Sequence, residues 1–386
     1  LENAPELFSK RSYIFIEEGK KKASGSSWDK IFETSEVSLV QSGEGCISVE
    51  VAFRKIMPEC TKLFAAVRSA DLELEGRYQP EIHDDYFEQF SWENLTKEEL
   101  NSCPFFVLIA EADTVLEKEG HMLKDILNDN LPINFLGMKS RIQTRQEDGK
   151  VDLHSHHELT GMLLSHKNLF VSQTASITPS YLMEALEQGM GSFSPAFFHV
   201  LDISEKSHEQ PLLLSSAMVE ARDFPGFNYT GLLGTPWGSR FDISNNPQSS
   251  LSWPEHTMKI SFPDGEEVDM NFNFTFADQA ALFEDYHKYF QIVQPAYWTE
   301  NLVPVDVYME QHPEENIGKV PFIWMVDNEN TLHKVAVSWQ IVMASEERRD
   351  QWRFLQENSG IHNFHVKKAV EELRENLQVQ FQRDIE

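Results

Sequence analysis

Histidine and carboxylate side chains are most concentrated in one short stretch, His154-Ser155-His156-His157, which lies between Asp152 and Glu158. Imidazole and carboxylate groups are the ligands that zinc and nickel take in proteins. Neighbours in one loop rarely converge on a single ion without a third, distant ligand, and the sequence marks no such ligand. A metal site formed by His154, His156 and His157 is therefore one hypothesis, and a hydrated loop is the alternative that the spacing favours.

The evidence for a catalytic nucleophile in the sequence is weaker than that for a metal site. Cys103 precedes Pro104 at the expected start of a strand, and spacing ties no histidine–aspartate combination to its thiol. The sequence contains no G-x-S-x-G, no G-x-x-x-x-G-K-S/T phosphate loop and no G-x-G-x-x-G. These motifs therefore assign no hydrolase, P-loop or dinucleotide chemistry to the chain.

Length, composition and charge limit the function classes. The 386 residues predict two to three domains, and a hydrophobic content of 41% argues against wholesale disorder. The formal net charge of −29 makes nucleic acid and anionic membrane surfaces unsuitable partners. No run approaches about 18 consecutive apolar residues, so no membrane span is expected. The chain has three widely spaced cysteines and no signal-peptide pattern, which predicts a cytoplasmic location. Because it starts at Leu1, we expect a fragment or a processed chain.

Four short apolar runs predict the strands of a sheet: 105–110, 131–136, 169–173 and 196–202. Segments with apolar residues at helical spacing lie between them, so the pattern is a repeated strand, helix, strand. Continuous apolar runs are typical of strands that are buried on both faces. We therefore expect an α/β domain over 101–230, with the four strands parallel in one sheet and helices on its faces.

The flanking regions carry different patterns. Residues 1–100 are predicted to be an irregular or helical N-terminal region, in which Pro58 breaks a helix and the acidic segment 81–88 forms a solvated loop. Residues 231–386 are predicted to be a C-terminal α+β region with a β-hairpin around 328–330 and a long terminal helix.

The predicted terminal helix carries a narrow apolar stripe. Its members are Val366, Val370, Leu373 and Leu377, spaced by four, three and four residues. This spacing is typical of a helix that packs along another helix. Docking on another chain or domain is therefore the interpretation that the spacing favours, and capping of the chain's own core is the alternative.

Four segments follow one another in an order that resembles a known family. They are Glu158 to Leu164 (ELTGMLL), Leu169 to Ala175 (LFVSQTA), Tyr181 to Glu187 (YLMEALE) and Ser194 to Asp202 (SPAFFHVLD). Together with Ser216 to Tyr229 (SAMVEARDFPGFNY), they resemble the later part of the thiamine-diphosphate-binding domain of pyruvate:ferredoxin (2-oxoacid:acceptor) oxidoreductases. The likeness covers 101–230, about a third of the 386 residues, and implies a thiamine-diphosphate-binding type of parallel sheet.

The same resemblance implies where a cofactor would bind. The family holds Mg²⁺ and the diphosphate with Gly-Asp-Gly after one strand and an Asn-containing, glycine-rich loop after the next. The corresponding segments here are Glu111-Ala112-Asp113 and the loop that begins at Gly137, so Glu111, Asp113 and Gly137 are the candidate cofactor-binding residues. Ala112 stands where the metal-binding aspartate would, and it cannot supply the oxygen ligand that Mg²⁺ needs. We therefore expect no bound cofactor, with thiamine diphosphate and Mg²⁺ as the alternative.

These patterns leave three hypotheses about function. The first is a segment or subunit of a 2-oxoacid (pyruvate):ferredoxin oxidoreductase-like multidomain protein, with a degenerate thiamine site and a structural or assembly role. Its partners would be the other domains or subunits of that assembly. The second is an active thiamine-diphosphate-dependent oxidoreductase half, and the third is a small-molecule or metal-binding module. Whether the chain is itself an enzyme stays open at this point.

Overall fold

The computed structural model describes residues 10–17, 35–140, 151, 153, 158–203, 210–231, 235–261 and 267–385. The chain forms two compact units. The first comprises 1–139, 162–171 and 183–200, and the second comprises 140–161, 172–182 and 201–386. Each unit is assembled from separate stretches of the chain. The domain boundaries near 101 and 231 stay a prediction.

Eight strands form the main sheet. They are β1 (Ser12–Glu17), β2 (Ser35–Val40), β3 (Phe105–Glu111), β4 (Ile133–Lys139), β5 (Phe170–Ala175), β6 (Ala196–Leu201), β7 (Phe227–Thr230) and β8 (Phe241–Asp242). Their order is β2-β1-β3-β4-β6-β5-β7-β8. β1 runs parallel to β2 and β3, and β3 runs parallel to β4, whereas β7 and β8 are antiparallel. The sheet is therefore mixed but mostly parallel, which confirms the α/β class.

The four predicted strands are β3, β4, β5 and β6. The Phe170 amide donates to the Pro195 carbonyl (3.0 Å), and the Ser176 amide donates to the Leu201 carbonyl (2.8 Å). From the first bond to the second, the donor and the acceptor both move toward the C-terminus, so β5 and β6 are parallel. Every residue of these two strands is buried, as expected for continuous apolar runs between covering layers.

Six helices accompany these strands. They are α1 (Gly45–Leu74), α2 (Pro80–Glu88), α3 (Lys97–Ser102), α4 (Ala112–Asn128), α5 (Glu158–Leu164) and α6 (Pro179–Met190), and Trp92–Asn94 forms a 3₁₀ turn. The N-terminal region is more regular than predicted, since it supplies β1 and β2 to the sheet. The prediction for 81–88 was wrong, because this acidic segment lies in α2, where Pro80 fits the first turn.

Pro58 lies inside α1 without ending it, so the predicted break was wrong. Val49, Phe53, Met57 and Cys60 are buried on one side of this helix, at spacings of four, four and three residues. Proline has no backbone N–H, so one hydrogen bond of the helix is missing at Pro58. Burial of the apolar face stabilises the helix enough for it to continue past this position.

The second unit contains two further sheets. β9 (Glu255–Ser261) and β10 (Glu267–Asn273) form an antiparallel pair. β11 (Phe290–Val293), β12 (Leu302–Pro304), β13 (Val320–Val326) and β14 (Leu332–Val337) form a sheet in the order β11-β14-β13-β12. β13 and β14 are antiparallel, which confirms the predicted hairpin.

Five helices belong to the second unit. They are α7 (Pro211–Glu220), α8 (Phe276–Ala280), α9 (Val305–Glu310), α10 (Trp339–Asn358) and α11 (Phe364–Ile385), with 3₁₀ turns at Trp237–Arg240, Glu284–Tyr289 and Pro295–Tyr297. The long terminal helix is confirmed as α11, and its stripe from Val366 to Leu377 is 40–58% exposed. The stripe therefore does not cap the core that the structure describes.

A buried ion pair anchors α10 in the core of the second unit. Arg348 Nε donates to Asp223 Oδ1 (3.0 Å), and both side chains are almost fully buried. Gln279 Nε2 donates to the other oxygen of the same carboxylate (2.9 Å), and the Arg348 guanidinium lies 4.0 Å from the centroid of the Phe276 ring. The buried charges are thus paired and hydrogen-bonded, as buried charges must be. None of the helices in the described part of the chain has the length and hydrophobicity that a membrane crossing requires.

Candidate functional site

The three candidate cofactor residues lie together at the carboxyl ends of β3 and β4, which we call the carboxyl edge. Glu111 is the last residue of β3, and Asp113 follows in the first turn of α4. Gly137 lies on β4 opposite Ala110, one residue before the partner of Glu111. His154, His156 and His157 lie outside the described residues, so the metal hypothesis stays a prediction.

The Asp113 carboxylate is paired with a cation from the neighbouring strand. Lys139 Nζ donates to Asp113 Oδ2 at 2.6 Å. The Lys139 side chain is only 3% exposed, whereas that of Asp113 is 50% exposed. A divalent ion at Asp113 would have to displace this ammonium and leave it buried without a counter-charge, which is costly. Asp113 is therefore already neutralised by the protein itself.

Gly137 serves the packing of an aromatic ring. A Cβ atom at this position would lie 2.9 Å from Phe197 Cζ and 3.2 Å from Ala112 Cβ. The Phe197 ring also stacks on Phe135, with centroids 5.9 Å apart. Because glycine has no Cβ, the space beside Gly137 accommodates the buried Phe197 ring and is not free for a phosphate. With the Lys139–Asp113 pair, this packing means that Asp113 and Gly137, the described residues at this position, do not fit a magnesium diphosphate.

A second group of polar residues lies at the same edge, where the sheet changes direction. The chain passes from β1 outward to β2, whereas from β3 it passes to β4 on the other side. In open α/β sheets, ligands bind at such a switch point. Here Glu17, the last residue of β1, accepts hydrogen bonds at Oε1 from the amides of Gly43 (3.1 Å) and Gly45 (3.2 Å).

Glu119 of α4 accepts a hydrogen bond from the next amide of the same turn, that of Cys46. The acceptor atom is Oε2, 2.6 Å from the amide nitrogen, and the residue is 1% exposed. The amides at the N-terminus of a helix form an anion-binding position in many α/β proteins. In this protein, two of its own carboxyl groups fill that position at the start of α1.

The two carboxyl groups influence each other's protonation. Burial, followed by the hydrogen bond with Glu119, raises the pKa of Glu17 from 4.5 to about 7, against the opposing effect of the Gly43 and Gly45 amides. Burial and the nearby Glu119 carboxylate also raise the pKa of the Cys46 thiol. A thiol in this environment stays protonated and is a poor nucleophile. The arrangement therefore favours a proton on Glu17 and does not activate the Cys46 thiol as a nucleophile.

Sequence reasoning missed Glu17, Glu119 and the contact between two cysteines. Cys60 and Cys103 are both buried and free. A thiol–thiol hydrogen bond lowers the pKa of Cys60 and raises that of Cys103. One signal for the carboxyl pair was present, since the glycine-containing segment 41–45 precedes a helix and marks an N-terminus whose first amides need acceptors. Nothing in the sequence marks which acidic residues reach it.

Comparison with known proteins adds no family to these observations. No protein-family model matches the chain, and the search of curated proteins gives no match to its sequence.

Proposed function

We propose that this chain is a non-catalytic segment or subunit of a larger 2-oxoacid:ferredoxin oxidoreductase-like protein. Its α/β unit, of thiamine-diphosphate-binding type, serves packing and assembly and holds no cofactor. The observation that carries this proposal is the ion pair between Lys139 and Asp113. It neutralises Asp113, one of the two carboxylates that flank Ala112, the position of the family's metal-binding aspartate.

The packing around Gly137 supports the same proposal. A diphosphate binds tightly where backbone amides are free and glycine lets them approach it. At the carboxyl edge, Phe197 covers Gly137, and Glu17 and Glu119 accept from the amides that begin α1. Both features of a diphosphate site are therefore used by the protein's own side chains.

The exposed stripe of α11 supports a role in assembly. Leu373 and Val366 are each 58% exposed on a helix whose register suits a helical partner. In the proposed function, another domain or subunit of the assembly covers this stripe.

Isothermal titration with thiamine diphosphate and Mg²⁺ tests the absence of a cofactor. We expect no heat of binding for the intact chain. Lys139→Ala, which frees Asp113, should remain without affinity for thiamine diphosphate because Phe197 still covers Gly137; Lys124→Ala, at an exposed position of α4, is the matched control. A micromolar affinity of the intact chain, about −8 kcal/mol, would contradict the proposal and favour the active oxidoreductase half.

A further inference from the structure

A cavity of about 320 Å³ lies within the second unit. Its wall is formed by the end of β10, the first turns of α8 and α9, and β13. Three acidic residues line it, namely Glu255, Asp278 and Asp306, and no lysine or arginine does. Its volume is at the lower end of the range for small-molecule sites, about 300–1,000 Å³. The cavity is not part of the carboxyl edge, so a ligand bound in it is independent of the proposed assembly role.

The polar atoms that the cavity offers are mainly hydrogen-bond acceptors. Asn273 Nδ2 donates to Asp306 Oδ2 (2.7 Å), and the Thr275 amide and hydroxyl both donate to Asp278 Oδ2 (2.7 Å each). Within the described part of the chain, none of the three carboxyl groups is paired with a lysine or arginine, so the protein does not neutralise their oxygens. A ligand that satisfies these oxygens must bring donors, and positive charge strengthens each such bond.

Aromatic rings complete the wall and suit the same ligand chemistry. Phe322 and Trp324 meet edge to face with their centroids 5.1 Å apart. The Lys334 ammonium, which is not part of the cavity wall, lies 4.4 Å from the Phe322 centroid and 5.1 Å from that of Trp324. These rings therefore line the cavity and are also within cation–π distance of a cationic side chain.

From this geometry we infer that the cavity binds a small organic cation, with an ammonium or guanidinium group on a short aliphatic chain. A metal ion fits less well, because no group of three or more His, Cys, Asp or Glu side chains within the described ranges is arranged to hold one. Hard divalent ions require about six oxygen ligands at close range. An organic cation needs only two or three acceptors and an aromatic surface, and the net charge of −29 attracts it toward the protein.

Titration calorimetry with agmatine and putrescine, using the full chain, tests this inference. We expect saturable binding of at least one of the two, and their ranking separates guanidinium from ammonium recognition. Glutarate, an anion of similar length, should give no heat. Asp306→Asn keeps an acceptor for Asn273 and removes the charge, so it should weaken binding about tenfold.

Asp269→Asn is the matched control, since Asp269 is an exposed residue of β10 outside the cavity. It should leave the affinity unchanged. Circular dichroism melts verify that the variants fold, and Glu255→Gln replaces Asp306→Asn if the latter does not. The inference is overturned if neither cation binds, or if Asp269→Asn weakens binding as much as the cavity variant does, since the effect would then be one of general charge.

Discussion

The carboxyl edge of the first unit and the acidic cavity of the second unit differ in what surrounds their carboxylates. At the edge, the Glu119 carboxylate accepts from a backbone amide, and that of Asp113 is paired with the Lys139 ammonium. In the cavity, Asp306 and Asp278 each receive donors at one oxygen, and the wall around them contains no lysine or arginine.

This difference separates two uses of a buried or half-buried carboxylate. Where the fold supplies the donors, the charge contributes to stability, and its removal leaves an unsatisfied group behind. Where carboxylates line a space with no cation in its wall, a ligand can supply the positive charge. The position at which sheets of this kind bind ligands is therefore filled by the protein itself, and the ligand site that we infer lies in another part of the chain.

The largest effect is expected from Glu119→Ala. This change removes the acceptor of the Cys46 amide and the acidic neighbour that raises the pKa of Glu17, both inside the first unit. We expect a loss of about 3 kcal/mol in the free energy of unfolding, measured by denaturant titration. Glu117→Ala, at an exposed position of the same helix, should change it little. Equal effects of the two would mean that Glu119 is not held as the structure shows.

A smaller loss is expected from Gly137→Ala. The new methyl group would contact Phe197 Cζ and Ala112 Cβ below normal distances, and overpacking of this kind costs about 2 kcal/mol. Phe197→Leu in the same chain should recover part of the loss. The control is Gly120→Ala in α4, where no atom lies within 4 Å, and it should be neutral or stabilising. Tolerance of Gly137→Ala would show that the glycine is not required by packing.

The pH dependence of stability tests the proton held at Glu17. Its pKa is raised from 4.5 to about 7, so the folded state binds the proton more tightly than the unfolded state does. The stabilisation from this proton is complete below the unfolded pKa and is lost as the pH rises through about 7. We expect a decrease on the order of 1 kcal/mol between about pH 5 and pH 8, after allowance for solvent screening.

Thermal melts across this range, with Glu17→Gln as the test variant, measure the effect. Glu17→Gln should flatten the decrease, whereas Glu44→Gln, at an exposed position of the adjacent loop, should retain it. A decrease that persists unchanged in Glu17→Gln would assign it to another group.

The smallest effect on stability is expected from Leu373→Asp. Besides the cavity carboxylates, the second unit has exposed apolar side chains on α11. One of them is Leu373, which is 58% exposed. We expect its free energy of unfolding to change by about 0.5 kcal/mol or less. Leu355→Asp, at a position of α10 that is 5% exposed, should cost several times more because it buries a charge. Size-exclusion chromatography should show weaker assembly for Leu373→Asp only, and a large loss of stability would mean that the stripe caps the core.

Local patterns in the sequence identified several elements of the fold. The apolar runs identified β3, β4, β5 and β6, because a strand covered on both faces needs apolar residues at consecutive positions. The four–three–four spacing identified α11, since side chains at these intervals share one side of a helix. The grouping of Glu111 with Gly137 came from the family resemblance, and the parallel pairing of β3 with β4 places both residues at one edge.

Local patterns failed where packing outweighs propensity. Pro58 ordinarily ends a helix, yet α1 continues through it because the Phe53 and Cys60 face is buried in the first unit. The short strands β1 and β2 carry little pattern of their own, and pairing with β3 and with each other stabilises them. Their existence depends on partners that lie far along the chain.

What the sequence determined by itself is therefore the α/β class, the hairpin and the terminal helix, whereas the residues of the carboxyl edge came from the family resemblance. Only the tertiary structure decided how that edge is used. The Lys139–Asp113 pair spans 26 residues, and the bond from the Cys46 amide to Glu119 spans 73. Strand order and helix packing bring such groups together, and no spacing rule encodes them, since an acidic residue on a helix has the same local pattern whether it meets solvent, an amide or a cation.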